Sequence, residues 1–385
     1  MMGKLLSKVG INMLQTSFEE SLCWSGEIEV KKLNLQPYIK VVYMNLRTKN
    51  IFYSLILLIS VAGVWFYRKN QVNEPIKIGG ETMATTYHIT YFDQEKRNFK
   101  TSVDSLLVLV NKSINNYDPE SEISRFNKSM SSLKFSLPYL LPPLIKSQEV
   151  VSDSQGAFDP TVMPLVNAWG LGPAKRTRPD STKIDSLKSL VGFEKIQFNS
   201  DSVWKMEPRT QLDFGGIGQG YGADVVSEFL KSKGVKNFLM ELGGEGMACG
   251  KNIKTDKPWE LGILDPNSTQ DNQFFKAYVS LENRSFTTSG NYFNFRVVDG
   301  KKYSHTIDPE TGYPAQREIL SASVFAADAI TADAWATAFM VMGHERALEV
   351  LKKHPELDAF LIYSTRDSIA TFATERISPY LKINH

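Results

Sequence analysis

A glycine run bracketed by two aspartates contains residue types that could do chemistry. Residues 211–224 read QLDFGGIGQGYGAD and place five glycines within eight residues, just after Asp213. Glycine loses more backbone entropy on folding than any other residue, so this density needs a reason. One reason is a loop whose backbone N–H groups approach a ligand closely, as in phosphate-binding loops. A tight structural turn between a strand and a helix is the alternative.

The same run satisfies a dinucleotide-binding pattern. Gly218, Gly220 and Ala223 fit G-x-G-x-x-A, and a predicted strand ends near Glu241, where a ribose-binding acid would stand. This pattern keeps a Rossmann-type NAD-dependent oxidoreductase among the candidate functions. The aspartate at position 213 is atypical of that class, which normally has an apolar run ahead of the loop.

Predicted strands and helices surround the glycine run and must position it. A short strand is predicted at residues 210–214 and a helix at residues 223–233, where apolar residues recur at helical spacing. The other main strands are predicted at Thr85–Phe92, Asn237–Leu242, Trp259–Leu264 and residues 277–281 and 321–326, and the other main helices at residues 99–114, 140–154 and Ala329–Met342. This mixture predicts an α+β or mixed α/β fold.

The composition narrows the range of functions. The 385-residue chain has a formal net charge of +2 and no basic run interleaved with aromatic residues, so no nucleic-acid partner is expected. The two cysteines, Cys23 and Cys249, are too few for a disulfide framework or a zinc-binding pattern. The length permits one large domain or two moderate ones.

An uncharged apolar segment near the N-terminus predicts a membrane anchor. Residues 51–67, IFYSLILLISVAGVWFY, would span about 25 Å as a helix, just enough to cross a bilayer. Basic residues before this segment weakly favour a cytoplasmic N-terminus. We therefore expect an uncleaved anchor, with the domain from residue 78 onward on the side of the membrane away from the cytoplasm. A cleavable signal peptide is the alternative.

The anchor divides the chain into four predicted parts. Residues 1–50 form an N-terminal tail, which is either a cytoplasmic extension or an artefact of the start site. Residues 51–67 form the anchor and residues 68–77 a short polar linker. Residues 78–385 form the main folded domain, with no long low-complexity break.

Short motifs recur in a recognisable order over residues 79–343. They are Thr82-Met83-Ala84-Thr85, Tyr117-Asp118-Pro119, Ser124-Arg125-Phe126-Asn127, Phe158-Asp159-Pro160-Thr161-Val162, Asn167-Ala168-Trp169-Gly170, residues 212–224, Leu242-Gly243-Gly244-Glu245, Thr288-Ser289-Gly290, His305-Thr306-Ile307-Asp308-Pro309 with Thr311-Gly312, and Ala332-Asp333-Ala334-Trp335-Ala336-Thr337. Each motif is short, but their order is specific. With these motifs the chain resembles the ApbE family of FAD:protein FMN transferases.

The resemblance implies a fold and an activity. The expected fold is the mixed α/β fold of ApbE flavin transferases, with an FAD cleft between sheet-containing lobes. The expected enzyme uses Mg²⁺ to move FMN from FAD onto a Thr or Ser hydroxyl of a target flavoprotein, and it releases AMP. Family acceptors include flavoprotein subunits of Na⁺-translocating NADH:quinone reductases and related electron-transfer complexes. An FAD pyrophosphatase that yields FMN and AMP is an alternative, and so is a non-catalytic flavin carrier.

The resemblance also assigns roles to matching residues. The flavin and adenine pockets would be lined by Met83, Tyr117, Ala157, Phe158, Asp159, Asp213, Gln219 and Ile307. The metal would be held by the Gly216 carbonyl, the Asp333 carboxylate and the Thr337 hydroxyl. Two positions depart from the family pattern, because Ala84 replaces the usual glycine and Gln219 replaces a common lysine or glutamate.

The residue pattern agrees with this metal set. Asp333 and Thr337 stand at i and i+4 of a predicted helix, so both side chains lie on one face. Carboxylate, hydroxyl and carbonyl oxygens are ligands suited to Mg²⁺. His305 is the candidate base for the attacking hydroxyl, because imidazole titrates near neutrality. A structural histidine at a strand end is the alternative for that position.

Overall fold

The computed structural model describes residues 45–72, 74–173, 179–269, 271–290, 295–298, 301–304 and 306–384. The chain divides into two compact units, Met1–Gly63 and Val64–His385. The second unit contains the sheets and the predicted site residues. His305, the candidate base, lies outside the described residues.

A long apolar helix, α1 (Leu46–Val72), includes the predicted anchor. Its Leu46–Tyr67 stretch has a mean hydropathy of 1.8, and none of it is buried. Its length and composition allow this stretch to cross a membrane. The N-terminal apolar helix predicted from the sequence is therefore confirmed, with wider bounds than residues 51–67.

The remaining helices belong to the second unit. They are α2 (Lys100–Ile114), α3 (Glu122–Lys128), α4 (Leu141–Asp153), α5 (Met163–Trp169), α6 (Ser181–Lys188), α7 (Gly218–Ser232), α8 (Ala329–Met342) and α9 (His344–Lys353). Helix α8 is apolar nearly all round, which is typical of a helix inside a core. Every residue of α8 except Thr337 is buried.

The strands, in chain order, are β1 (Ile76–Thr82), β2 (Thr85–Phe92), β3 (Ser132–Lys134), β4 (Ile196–Phe198), β5 (Ser202–Lys205), β6 (Asn237–Leu242), β7 (Glu245–Cys249), β8 (Trp259–Leu264), β9 (Phe275–Leu281), β10 (Arg284–Gly290), β11 (Phe295–Val298), β12 (Lys301–Ser304), β13 (Ile319–Ala326), β14 (Asp358–Ser364), β15 (Ile369–Ala373) and β16 (Leu381–Ile383). Eight of them form one sheet in the order β1-β2-β6-β7-β10-β13-β14-β15. Two sheets of three strands, β16-β9-β8 and β3-β5-β4, and the hairpin β11-β12 complete the described set.

Every neighbouring pair in the eight-stranded sheet is antiparallel. A Rossmann fold is built on a parallel sheet with helical crossovers. The Rossmann-type NAD-dependent oxidoreductase is therefore wrong as a candidate. The mixed α/β class is confirmed.

The large sheet is covered on both faces. Met240 of β6 packs with Leu230 of α7 in one apolar cluster. Leu239, the preceding residue, packs with Trp259 and Phe286 in another cluster, under the three-stranded sheet β16-β9-β8. Successive side chains of a strand point to opposite faces, so the helices and the small sheet cover opposite faces. Burial of an aromatic or large aliphatic side chain here contributes about 1.5–3 kcal/mol each.

Two tight hairpin turns lie next to each other at one end of the sheet. Met83 and Ala84 connect β1 to β2, with φ of 49° and 58°. Gly243 and Gly244 connect β6 to β7, with φ of 71° and 117°. Positive φ at both central positions is typical of two-residue hairpin turns of type I′. The Gly243 N–H donates to the Thr86 carbonyl at 3.1 Å, which joins the two turns.

Candidate active site

The glycine run begins helix α7, where the sequence predicted a loop ahead of the helix. The helix starts at Gly218, so the predicted start at residue 223 is wrong. The predicted strand at residues 210–214 is also wrong, because that segment makes only one parallel bridge, between Gln211 and Val162. Three of the five glycines therefore lie in the first turns of a helix, where glycine is unfavourable unless packing demands it.

Close packing against α8 explains two glycines of the run, one inside α7 and one just before it. A Cβ at Gly220 would lie 2.7 Å from the Asp333 Cβ and still closer to the Ala329 carbonyl oxygen. A Cβ at Gly216 would lie 2.8 Å from the Thr337 Oγ1. The backbone of the run thus touches α8 directly. The two predicted metal-ligating side chains of α8, Asp333 and Thr337, lie at this contact.

The N-terminus of α8 is fixed by two aspartates. Asp224 of α7 accepts hydrogen bonds from the Ala329 and Ile330 N–H groups, each at 2.8 Å. Asp328 caps the helix by accepting from the Thr331 N–H at 2.9 Å. Three N–H groups without intrahelical partners are satisfied in this way. Burial raises the pKa of Asp224 to about 7, against the two N–H donors, which lower it.

The three predicted metal ligands converge at this contact. The Gly220 N–H donates to Asp333 Oδ2 at 2.9 Å, and Thr337 Oγ1 lies 3.4 Å from the Gly216 carbonyl oxygen. Asp333 is 5 % exposed, and burial raises its pKa to about 7. Among the described residues, no Lys or Arg forms an ion pair with Asp333. Its carboxylate is therefore buried without a counter-cation among the described residues.

The chemistry of these oxygens fits Mg²⁺. The 3.4 Å between Thr337 Oγ1 and the Gly216 oxygen is long for a hydroxyl hydrogen bond. It is near the separation of about 3 Å expected for adjacent oxygens around an ion that binds them at 2.0–2.1 Å. The described residues contain no trio of His, Cys, Asp or Glu arranged as a metal cage. Mg²⁺ does not need such a cage, because it typically binds one or two carboxylates and completes its shell with water and substrate phosphates.

Glu245 is a neighbour of Asp333 that the sequence analysis did not single out as a site residue. It is the first residue of β7 and is 6 % exposed. Burial and the nearby Asp333 carboxylate raise the pKa of Glu245 well above its usual range. The available signal was its place in the Leu242-Gly243-Gly244-Glu245 motif, where a charged residue begins an otherwise apolar strand.

Met83 and Gln219 meet beside this centre. The Gln219 amide nitrogen lies 3.5 Å from the Met83 carbonyl oxygen. A Cβ at Gly222 would lie 3.2 Å from the Met83 methyl carbon, so the Met83 side chain rests on the glycine face of α7. These two predicted pocket residues are therefore close to the α7–α8 contact. Ala84, next to Met83, is exposed in the turn.

Asp213 is held by two asparagines that the sequence analysis missed as site residues. Its carboxylate accepts from the Gly215 N–H at 2.9 Å and from the Asn116 amide at 3.0 Å. Asn127 donates to Asn116 at 3.1 Å and accepts from the Leu212 N–H at 2.7 Å. Burial raises the pKa of Asp213, and its two donors partly offset this shift. These hydrogen bonds hold the backbone in place at the start of the glycine run.

Tyr117 and the 157–159 stretch lie on the same side as Asp213. Tyr117 is 66 % exposed, and its hydroxyl donates to the Leu171 carbonyl at 3.1 Å. The stretch reaches Asp213 because the Asp213 N–H donates to the Pro160 carbonyl at 2.7 Å. Asp159 uses its carboxylate internally, accepting from Thr161 and from the Phe193 N–H. Ala157 and Phe158 are buried in the main core.

Ile307 belongs to an apolar cluster beside α5 and α6 and is 5 % exposed. The turn after it is built on Asp308, which accepts from the Glu310 and Thr311 N–H groups. Arg317 pairs with Asp308 at 3.2 Å and donates to the Val341 carbonyl of α8 at 2.7 Å. The segment that follows His305 is thus tied to the C-terminal end of α8.

Comparison with known proteins gives consistent results. The family model described as "ApbE family" matches residues 83–361. The chain is 33 % identical over 315 residues to the FAD:protein FMN transferase of Vibrio cholerae, covering 80 % of this chain and 93 % of that protein. It is 33 % identical over 324 residues to the enzyme of the same name from Haemophilus influenzae, covering 80 % and 91 %.

A solved structure extends the comparison to the fold. The flavin transferase ApbE from Vibrio cholerae superposes with a TM-score of 0.72 at 32 % identity, covering 80 % of this chain and 99 % of that one. The fold and the site therefore place this protein in the class of flavin transferases. The chain belongs to the ApbE family.

Proposed function

We propose that this protein is an Mg²⁺-dependent FAD:protein FMN transferase. A Thr or Ser hydroxyl oxygen of the acceptor forms a bond to the phosphorus that carries riboflavin. The bond from this phosphorus to the bridging oxygen of the FAD diphosphate breaks, AMP leaves, and the hydroxyl proton passes to a base. The observation that carries the proposal is the convergence of Asp333, Thr337 and the Gly216 carbonyl at the start of α7.

The chain's own residues supply positioning and charge. Asp333, Thr337 and Gly216 would hold Mg²⁺, which would neutralise charge on the diphosphate during displacement. The Gly220 N–H fixes the Asp333 carboxylate, and the Asp224 cap fixes the helix that carries it. Because these contacts exist in the folded chain, the metal ligands need little rearrangement when substrate arrives.

The flavin and adenine pockets are proposed to lie along the glycine run, between Asp213 at its start and the contact of Gln219 with Met83. Met83 and Gln219 flank the metal end, and Tyr117 and Asp213 flank the other end. Ala157, Phe158, Asp159 and Ile307 are largely buried, so they support the pocket walls and present little surface for direct contact. Each FAD contact remains a proposal for residue-by-residue testing.

His305 is the proposed base for the acceptor hydroxyl. The motif that contains it continues into the Asp308 turn, which Arg317 joins to α8. His305→Ala is expected to lower transfer by about 10²-fold or more while FAD still binds. Unchanged transfer at neutral pH in a variant that binds FAD normally would reduce His305 to a structural role.

We further propose that α1 anchors the protein in a bacterial inner membrane, with residues 78–385 as the periplasmic catalytic domain. Its apolar Leu46–Tyr67 stretch supports this location. Of the predicted linker at residues 68–77, residues 68–72 continue α1 and residues 76–77 begin β1. The proposed acceptors are membrane-bound flavoprotein subunits, such as those of Na⁺-translocating NADH:quinone reductase or a related electron-transfer complex. A periplasmic domain on a membrane anchor would reach such acceptors by lateral diffusion.

The decisive experiment combines mass spectrometry with product analysis. The protein is incubated with FAD, Mg²⁺ and a candidate flavoprotein acceptor, and the expected result is acceptor carrying covalent FMN together with an equal amount of AMP. Free FMN with AMP and an unmodified acceptor would instead establish FAD hydrolysis. Intact bound FAD would establish a flavin carrier.

Asp333→Ala tests the metal assignment within this function. The variant should lose most Mg²⁺-dependent AMP release, a loss worth several kcal/mol of barrier, and it should stay folded because alanine favours helix. Asp367→Ala, at an exposed position between β14 and β15, is the matched control. A folded Asp333→Ala variant with wild-type rate and Mg²⁺ dependence would overturn the metal assignment.

A further inference from the structure

Glu245 carries a buried carboxylate oxygen with no hydrogen-bond partner. Its side chain is 6 % exposed, and Oε2 is fully enclosed without a donor among the described residues. Buried polar atoms are nearly always satisfied, so an unpartnered charged group needs an explanation. The described ion pairs include none to Glu245.

The position of Glu245 on its strand is one that normally takes an apolar residue. Glu245 and Met247 point to the same face of β7 because strand side chains alternate. Met247 lies in the apolar cluster beneath α7, with Met240 and Leu242 of the neighbouring strand. A carboxylate at this place breaks the pattern of the face, and such breaks occur at functional sites.

The neighbours of Glu245 place its free oxygen at the proposed metal and flavin site. Glu245 Oε2 and the Gln219 amide nitrogen each lie 3.1 Å from the point that a Gly243 Cβ would occupy. Gln219 directly precedes Gly220, whose N–H donates to Asp333 Oδ2 at 2.9 Å. Two buried carboxylates therefore lie near the glycine end of α7, and neither forms an ion pair with a described Lys or Arg.

We propose that Glu245 is a second carboxylate of the divalent-cation site and balances, with Asp333, the charge of the bound ion. The inference rests on the proposed function for the presence of the ion, and it adds a residue beyond Gly216, Asp333 and Thr337. Its geometric basis is the buried, orphaned Oε2 near Gln219, at the start of α7 where the Gly220 N–H holds Asp333. Two carboxylates are within the number that Mg²⁺ usually takes from protein.

Glu241 provides a matched control in the same hairpin. It pairs with Gly246 across the β6–β7 ladder, and its carboxylate accepts from the Gly244 N–H at 2.8 Å. It points to the face opposite Leu242, towards the cavity of about 380 Å³ next to β8 and β9. The same chemical change at Glu241 therefore alters local charge without touching the enclosed oxygen of Glu245.

The experiment measures Mn²⁺ binding to the full-length protein by electron paramagnetic resonance, with and without FAD. Glu245→Gln is expected to raise the Mn²⁺ Kd by at least about 10-fold, and Glu241→Gln to change it by less than about threefold. Glu245→Asp, which keeps a carboxylate, should restore part of the affinity. In thermal unfolding, Glu245→Gln should be as stable as wild type without metal but should lose the increase in Tm produced by Mn²⁺.

Each outcome decides the inference. A folded Glu245→Gln variant with wild-type Kd overturns it, while loss of binding in Asp333→Ala alone leaves the proposed function intact. Equal weakening by Glu245→Gln and Glu241→Gln also overturns it, because the weaker binding then reflects a general loss of negative charge near the site.

If wild-type protein binds no Mn²⁺ in either condition, the inference and the metal assignment both fail, and covalent FMN transfer is judged separately by mass spectrometry. If Glu245→Gln fails to fold, weak Mn²⁺ binding by a folded Glu245→Asp supports the inference, and wild-type Kd in Glu245→Ala overturns it.

Discussion

At the residue scale, Gly220 shows how one absent side chain sets the geometry of the site. Gly220→Ala would place a Cβ 2.7 Å from the Asp333 Cβ and against the Ala329 backbone. We expect a loss of about 1–3 kcal/mol in the free energy of unfolding, because overpacking outweighs the better helix propensity of alanine. Urea denaturation followed by circular dichroism measures this loss.

Gly218→Ala is the control for that substitution. Its Cβ would meet the end of the flexible Ile114 side chain at 3.3 Å and the Phe214 Cβ at an ordinary 3.9 Å. The two variants share the helix, the residue types and the gain in propensity. If Gly220→Ala were as stable as Gly218→Ala, then the close contact between α7 and α8 would not constrain this site.

Ala84 is a residue whose backbone conformation is strained. Its φ of 58° lies in the left-handed region, which is unfavourable for residues with a Cβ. Ala84→Gly is expected to stabilise the protein by about 0.5–1 kcal/mol, since relief of the turn exceeds the entropy that glycine adds to the unfolded chain. Chemical denaturation checks the sign. Ala84→Val should shift stability the opposite way, and the same sign for both variants would refute the strain argument.

At the element scale, the attachment of α7 to α8 through Asp224 predicts a dependence on pH. Burial raises the pKa of Asp224 from 3.8 to about 7, so the folded protein retains this proton over a range in which the unfolded chain has released it. The contribution of Asp224 to stability is therefore fully present below about pH 4 and falls as pH rises to about 7. Its size is on the order of 2–4 kcal/mol.

Asp224→Asn removes this titration and keeps an amide oxygen near the α8 N-terminus. In metal-free protein, the loss of stability between pH 4 and pH 7 should be shallower in the variant than in wild type. Asp367→Asn, at an exposed site, should leave the slope unchanged. Parallel profiles for wild type and Asp224→Asn, from urea denaturation at each pH, would contradict the assignment.

Periodicity predicted the elements that are apolar enough to be unambiguous. Strands β2 and β8 and helix α8 have the predicted bounds. The sequence did not predict β7, because a glutamate begins it and glycines precede it. The start of α7 was also missed, because glycine propensity argues against helix there and only tertiary contact with α8 reverses it.

The site was predictable where spacing along a helix determines it. Asp333 and Thr337 share a face as their i, i+4 spacing requires, and the structure brings Gly216 to them. The orphaned oxygen of Glu245 and the asparagines that hold Asp213 depend on contacts between segments far apart in sequence. No local pattern shows such contacts. The FAD contacts of the other named residues remain predictions.

At the scale of the whole molecule, the apolar helix α1 predicts the side of the membrane on which the catalytic domain lies. A reporter enzyme that is active only outside the cytoplasm, fused after His385, should be active in bacterial cells, and the protein should fractionate with membranes. The physical reason is the apolar Leu46–Tyr67 stretch, with a weak basic excess on its N-terminal side. Activity from a cytoplasm-specific reporter at the same position would reverse the proposed orientation.

The backbone contact at Gly220 bears on how this enzyme can change. The position of the Asp333 carboxylate against the start of α7 is set by backbone contacts at Gly220. Substitutions of side chains there therefore cannot adjust this position in small steps. Residues at the rim of the site, such as Tyr117 and Ala84, have more freedom to vary, because Tyr117 is 66 % exposed and Ala84 is exposed in the β1–β2 hairpin turn. New specificity for flavin analogues or acceptors should therefore arise first at the rim. A mutant library that keeps α7 and α8 constant would retain more active clones than one that varies them.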